Sequence, residues 1–176
     1  MDIDRAILMF INGLAGTNKF LDALFIVFAE YLILIIPIVL GYLWYKDRKL
    51  FLFTLLSMSI GLGINFLISS IYYRPRPFLV YDIKLLIYHA SDSSFPSDHT
   101  TLFLTLGYYL SKKMKKLGYL LFILGFVVGF SRIYCGVHYL SDIVGSLIVS
   151  IFACEIVIKY KNKIRKSFKL FKDFKF

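Results

Sequence analysis

The chain has 176 residues, of which 59% are hydrophobic, with a formal net charge of +10 and a mean hydropathy of +0.72. Soluble domains are about 45–50% apolar, so a soluble fold is excluded and one membrane-embedded domain over residues 1–176 is expected. The charge argues against a nucleic-acid partner, because the 21 Lys and Arg fall in short clusters between apolar runs, as in loops beside a membrane.

Residues 4–14 are apolar but too short to span. With Asp2, Asp4 and Arg5 in front, the segment 1–19 reads as interfacial, its helix lying in the interface or tucked on the bundle. Met1–Arg5 is mixed in charge and lacks a small-residue cleavage site, so a removable signal peptide is not expected. The runs 20–45 and 50–73 each exceed the roughly 20 residues that cross a hydrocarbon core. Pro37 is expected to kink the first, and Glu30 is its carboxyl, either a polar contact between helices or part of a pocket wall. In the second, Gly61 and Gly63 offer close backbone approach and Asn65 is the polar interruption.

Residues 74–96 form the one long loop and hold Pro75, Pro77 and Pro96; their apolar content argues for order, with a short helix on the bundle. Ser97 is a favourable N-cap for a run ending at Ser111. At about 1.5 Å per residue that helix reaches only about 22 Å, less than the roughly 30 Å core, so its start should be sunk below the lipid surface. The runs 117–134 and 138–160 complete the set, with Gly125 and Gly129 as a small-residue packing face in the former. The fold class expected is therefore all-α, an integral membrane bundle of about five transmembrane helices plus the short N-terminal interfacial helix. Cys135 and Cys154 show no spacing for a disulfide framework or a thiolate metal site.

Orientation follows from charge. If the first span enters from outside, fifteen Lys and Arg lie on the inner side and six on the outer. The basic tail, 159–176, is then cytoplasmic, and the polar motifs share the extracytoplasmic face of the plasma membrane.

Those motifs are Arg74-Pro75-Arg76-Pro77, Pro96-Ser97-Asp98-His99 and Ser131-Arg132 followed by His138 and Asp142. Ionisable groups at a membrane boundary are costly and mark function by default. Arg76 and Arg132 offer forked donors suited to phosphate oxygens. The helix start at Ser97 adds a hydroxyl and free backbone N–H groups, that of Asp98 included, at the positive end of the helix dipole. Four residues apart, His138 and Asp142 share a face, so the carboxylate can fix the imidazole tautomer and leave one nitrogen lone pair free to attack. His99 is then available as acid on the leaving oxygen and later as base for water. Two-step phosphoryl transfer through a phosphohistidine, with no metal and no cofactor, is the chemistry expected; His89, His99 and His138 have no zinc-site spacing. Arg74 is either an interfacial arginine or a further phosphate ligand, and His89 reads as a loop residue.

Together these residues resemble the tripartite signature of the type 2 phosphatidic acid phosphatase superfamily, Lys-x6-Arg-Pro, Pro-Ser-Gly-His and Ser-Arg-x5-His-x3-Asp. Two positions depart from it: Ser69 stands where the lysine is usual, and Asp98 where the glycine is. Both departures, together with Phe78, His89-Ala90, Ser94 to Thr101, Phe130 to Ile133 and Glu30-Tyr31, resemble the BcrC-type undecaprenyl-diphosphate phosphatases. The resemblance implies His138 as nucleophile, Asp142 as its partner and His99 as acid. Arg76, Ser97, the Asp98 amide and Arg132 would hold phosphate, with Arg74 a candidate for the missing cation. It further implies a lipid diphosphate substrate and membrane lipids as partners. Alternatives are a phosphatase of phosphatidic acid, phosphatidylglycerol phosphate or lipid A, and, from another class, a non-catalytic lipid-phosphate binder or transporter. Oligomeric state is not legible in the chain.

Overall fold

A computed structural model describes residues 3–169, with side chains for 3–163. The tail cations from Arg165 onward, expected to face the cytoplasm, lie outside the described side chains, and Lys172 and Lys175 outside the described residues. Among the described residues the regular elements are all helices: α1 (Ile3–Asn12), α2 (Lys19–Ile26), α3 (Ile35–Lys46), α4 (Arg48–Ile71), α5 (Pro77–Val80), α6 (Asp98–Ser111), α7 (Lys115–Tyr134) and α8 (Leu140–Lys169). Among the described residues four helices are long and apolar enough to cross a membrane: Lys19–Lys46, Arg48–Ile71, Lys115–Tyr134 and Leu140–Lys163.

The first of these joins α2 and α3 through a π-helical turn, Val27–Tyr31, and a 3-10 turn, Leu32–Leu34. Pro37 accounts for the second irregularity, because its missing N–H would have met the carbonyl of Ile33. The π turn lies too far upstream for that cause, and it has a partner described below. Local chemistry sets the helix starts: the Asn18 side chain accepts from the N–H groups of Phe20 and Leu21, and Asp47 accepts from Lys49 and Leu50, turning α3 into α4 through a single residue.

At 14 residues α6 is shorter than any of those four spans, and it buries Thr100, Thr101, Phe103 to Gly107, Tyr109 and Leu110. It pairs with α7 as an antiparallel hairpin at backbone contact. A Cβ on Gly107 would lie 2.3 Å from the Phe122 nitrogen, and one on Gly118 would lie 2.1 Å from the Ser111 nitrogen. Only glycine permits that approach. Of the glycines read as a packing face, Gly125 meets Leu104 of α6 and Gly129 meets Ile143 of α8, so the stripe serves two neighbours. Gly61 abuts Thr101, but nothing lies within 4 Å of a Cβ on Gly63.

Helix α8 runs parallel to α6 and is fastened to it by small polar side chains. The Ser146 hydroxyl lies 3.0 Å from the Ser97 carbonyl, Ser150 donates to Thr101 O at 3.1 Å, and the Cys154 thiol to Thr105 O at 3.4 Å, each pair 49 residues apart. Away from the site, an apolar core of Leu43, Met58, Phe103, Leu106, Leu110, Leu121 and Val157 fills one end of the bundle. At the other end Leu8 and Ile11 of α1 pack with Ala29, Ile87, Ile133, Tyr134 and Val137. The N-terminal helix is thus tucked on the bundle, where the Asn12 amide donates to the carbonyls of Lys84 and Tyr134 at 2.7 and 2.8 Å. Phe66, Leu67, Ile123, Ile148 and Phe152 remain exposed on the flanks, as lipid-facing side chains must.

Candidate active site

Helix α7 stops because Gly136 takes φ +82°, a conformation that favours glycine, while the N–H groups of Gly136 and Val137 cap the carbonyls of Ile133 and Arg132 at 3.0 and 3.1 Å. The turn that follows carries His138, and α8 begins only at Leu140. His138 therefore sits just ahead of the last helix rather than on its first turn. It still reaches Asp142: Nδ1 lies 3.2 Å from Oδ2. The same oxygen accepts the Tyr139 N–H at 2.9 Å, and Oδ1 accepts Arg74 Nη1 at 2.6 Å. Asp142 has no exposed surface, so its charge is sustained by these three donors.

With the imidazole proton on Nδ1, Nε2 presents a lone pair, and it faces Arg76 Nη1 at 3.2 Å. Arg76 precedes Pro77, the first residue of α5, and its fork is held on three sides. Nε donates to Asp92 at 2.8 Å, Nη1 to Val137 O at 3.0 Å and Nη2 to Ser93 O at 3.2 Å. Arg132, near the end of α7, is 1% exposed, and its Nη1 donates to the Ala29 carbonyl at 3.0 Å. Ala29 lies in the π turn of the first span, so that irregular turn offers the arginine its one acceptor among the described residues. Among the described residues, Arg132 Nε and Nη2 are buried without a partner.

The start of α6 brings Ser97, Asp98 and His99. Ser97 is fully buried: its N–H donates to Ser146 Oγ at 2.9 Å, and its hydroxyl accepts from Thr100 Oγ1 at 3.1 Å instead of capping the helix. The Asp98 carboxylate is turned aside by Asn65, whose Nδ2 donates to it at 2.8 Å and to Thr101 Oγ1 at 3.0 Å.

A cavity of about 780 Å³ is lined by Arg76, His89, Asp98, His99, Arg132 and His138, with Leu62, Asn65, Phe66, Ser69, Ser70 and Tyr73 of the α4 end as a further wall. A second cavity, about 400 Å³, shares His89, His99 and Arg132 and adds Glu30, Tyr88 and Ala90. The electrostatics suit an anion. Burial, followed by the guanidinium groups of Arg132 and Arg76, holds the His138 imidazole well below its ordinary range, so it is neutral. Burial and the same two cations, Arg76 first, lower His89 as well. Among the described residues no three His, Cys, Asp or Glu are grouped to hold a metal ion.

Six of the eight residues singled out in the sequence meet around His138 and the cavity: Arg76, Asp98, His99, Arg132 and His138 on the wall and Asp142 behind it. Ser97 and Arg74 are not on the wall. Ser97 is consumed by contacts between α6 and α8, and Arg74 lies on the far side of Asp142. His89 and Glu30 have cavity positions that a loop residue and a helix contact do not require. Asp4 and Asp92 carried no signal of their role, because each pairs with an arginine distant in the chain. For Asp4, burial alone would raise the carboxyl, but hydrogen bonds from Ser141 and Arg74 outweigh it and hold it below its ordinary value. Burial likewise opposes the Arg74 charge, and Asp4 and Asp142 more than restore it.

The PAP2 superfamily model matches residues 49–166. Undecaprenyl-diphosphatase BcrC of Bacillus subtilis (strain 168) is 37% identical over 159 residues, which cover 88% of this chain and 82% of that protein. The putative undecaprenyl-diphosphatase YbjG of Escherichia coli (strain K12) is 27% identical over 158 residues, covering 87% and 80%. The crystal structure of Aquifex aeolicus LpxE is similar at a TM-score of 0.81 and 26% identity, over 91% of this chain and 97% of that one.

Proposed function

The chain belongs to the PAP2 superfamily and is a membrane phosphatase; from that premise we propose that it hydrolyses an isoprenoid diphosphate of the undecaprenyl kind to the monophosphate and inorganic phosphate. The observation that carries this reading is Arg132, whose Nε and Nη2 are buried, with no partner among the described residues, on the wall of a cavity that also holds His138 and His99. A buried guanidinium with two idle donors is costly unless an anion completes it, and a phosphate oxygen pair fits its fork.

In the first step Nε2 of His138 attacks the terminal phosphorus. The N–P bond forms as the bond from phosphorus to the bridging oxygen breaks, and the electron pair leaves with the lipid monophosphate. His99 gives its proton to that oxygen; the negative charge of the arriving diphosphate favours the protonated imidazole. Asp142, on Nδ1–H, stabilises the phosphoimidazolium cation, while Arg76 and Arg132 hold the equatorial oxygens. In the second step water attacks the phosphorus, the N–P bond breaks, and His99 takes a proton from the water. One water is consumed and every side chain returns to its starting state.

The site faces outward in this reading. Lys46, Arg48, Lys49 and the run Lys112 to Lys116 cluster at the α3–α4 and α6–α7 turns, and Lys and Arg gather on the cytoplasmic side of a membrane. The cavity opens at the opposite end of α4, beside Phe66 and Tyr73, where a headgroup enters sideways from the outer leaflet.

Phosphate release by the purified protein, given undecaprenyl diphosphate, phosphatidic acid, phosphatidylglycerol phosphate and lipid A in turn, tests the substrate. The diphosphate is expected to turn over fastest; hydrolysis confined to the other lipids overturns the substrate, and release from none of them favours a binder or transporter. Full turnover by His138→Ala overturns the mechanism.

A further inference from the structure

Behind His138 and Asp142, away from the cavity, a chain of charges runs to the N-terminal helix. Asp142 Oδ2 holds the His138 ring, and Oδ1 is taken by Arg74 Nη1 at 2.6 Å. The other end of the fork, Nη2, donates to Asp4 Oδ2 of α1 at 2.7 Å. Asp4 also holds the first turn of α8: its Oδ1 accepts the Ser141 N–H at 2.9 Å, its Oδ2 accepts the Ser141 hydroxyl, and that hydroxyl lies 2.5 Å from Arg74 Nη1. The guanidinium is stacked 4.0 Å above the Tyr139 ring, whose backbone N–H is itself a donor to Asp142. The Arg74 main chain is pinned at 3.1 Å to Ser93 Oγ and at 2.8 Å to the Ser94 N–H. Asp4, Arg74, Tyr139, Ser141 and Asp142 are not among the residues that line the cavity.

We propose that Arg74 and Asp4 are positioning residues for the hydrolysis, with Arg74 locking the carboxylate of Asp142 in the orientation that serves His138 and Asp4 setting how strongly Arg74 draws on it. The inference rests on the histidine-nucleophile reading above. Its first part is geometric. A buried carboxylate held through only one oxygen can rotate, whereas a second donor, Arg74 Nη1 on Oδ1, fixes the plane in which Oδ2 meets Nδ1. Its second part is a charge account. Asp142, Arg74 and Asp4 sum to one negative charge, which is balanced when His138 becomes a phosphoimidazolium cation. Neutralising Asp4 leaves Arg74 and Asp142 as a closed pair with no net charge, so the cation forms less readily. Ground-state binding of the diphosphate, which Arg76 and Arg132 govern, is untouched. The effect therefore belongs in kcat and not in KM.

The experiment compares Asp4→Asn, Arg74→Gln and Arg74→Lys in the full-length protein, reading kcat, KM and the inhibition constant of inorganic phosphate, with His138→Ala alongside. Asp4→Asn should lower kcat on the order of tenfold and Arg74→Gln on the order of 100-fold, with KM and phosphate inhibition within about twofold of the parent. Arg74→Lys keeps one charge but cannot bridge two carboxylates, so its kcat should lie between parent and Gln variant. Unchanged phosphate inhibition reports an intact cavity, which a merely unfolded fraction cannot mimic once kcat is expressed per phosphate-binding site. A raised KM in Arg74→Gln with kcat preserved would mean that Arg74 binds phosphate directly, and the inference fails; it fails equally if Asp4→Asn keeps parental kcat. Either failure with His138→Ala inactive leaves the nucleophile assignment standing, whereas an active His138→Ala removes both.

Discussion

The guanidinium of Arg132 reaches across to the first span and donates to the carbonyl of Ala29 at 3.0 Å, while its remaining two nitrogens have no partner among the described residues. One bond fixes the direction of the fork and the rest of it is left for substrate. The irregular turn at Val27–Tyr31 is thus coupled to the site by a backbone atom, and the arginine is preorganised before any phosphate arrives.

Arg132→Lys should lower kcat/KM on the order of 10²- to 10³-fold, since an ammonium cannot serve Ala29 and two phosphate oxygens from one plane. Steady-state kinetics on the diphosphate checks this. A loss under about fivefold would mean that the idle donors do not meet the substrate.

The lowered His138 and His89 values give a pH dependence with a definite sign. An imidazole whose value is lowered stays neutral to lower pH, so the acid limb of kcat/KM, which reports the free enzyme, should fall beneath about pH 6.5. Stability also falls on acidification. Below about pH 6.5 the unfolded chain binds more protons than the folded one, so unfolding free energy rises with pH in that window and is flat above it. Thermal midpoints in detergent between pH 5 and 8 read the slope, and His89→Gln should reduce it.

Phe66, exposed to lipid and lining the cavity mouth, should touch the first isoprene units of a substrate entering from the side. Phe66→Ala is expected to raise KM several-fold for a long-chain diphosphate and to leave that for a short, water-soluble isoprenoid diphosphate within about twofold. Equal changes for both would place the tail elsewhere.

Both native cysteines are buried, so a cysteine introduced at a loop can be read by an impermeant maleimide with little background. Asp92→Cys, at the exposed rim of the cavity, should label in intact cells, and Lys113→Cys, in the α6–α7 turn, only after permeabilisation. The reverse pattern would turn the site to the cytoplasm.

What was legible in the chain was what local chemistry writes. Apolar runs gave the spans to within about two residues at most ends, and motif spacing brought Arg76, Asp98, His99, Arg132 and His138 to one cavity wall. What was illegible depended on chain-distant or backbone partners. Asp4 looked like the front of an interfacial helix, and its tie to Arg74 spans 70 positions. Ala29 contributes a carbonyl, which no side-chain pattern encodes. Ser97 read as a helix cap because its residue type favours one, but burial against Ser146 claims its polar groups. Arg74 read as either an interfacial arginine or a further phosphate ligand, because charge alone does not say which side of Asp142 it occupies.

The fastening of α6 to α8 repeats every four residues, and a repeating contact admits errors of registration. Slipping α8 by one turn would keep two of the three rungs in place while moving His138 about 5.4 Å relative to His99, enough to disable the chemistry without unfolding the bundle. One rung is unlike the others: Ser146 both accepts the Ser97 N–H and shares its own proton between the carbonyls of Ser97 and Asp142, at 3.0 and 2.8 Å. Thr101 spends its N–H on the Ser97 carbonyl at 2.9 Å, so Ser146 moved one rung along would lose that reciprocal contact. The ladder holds the two helices together, and its first rung tells them at which height to stop.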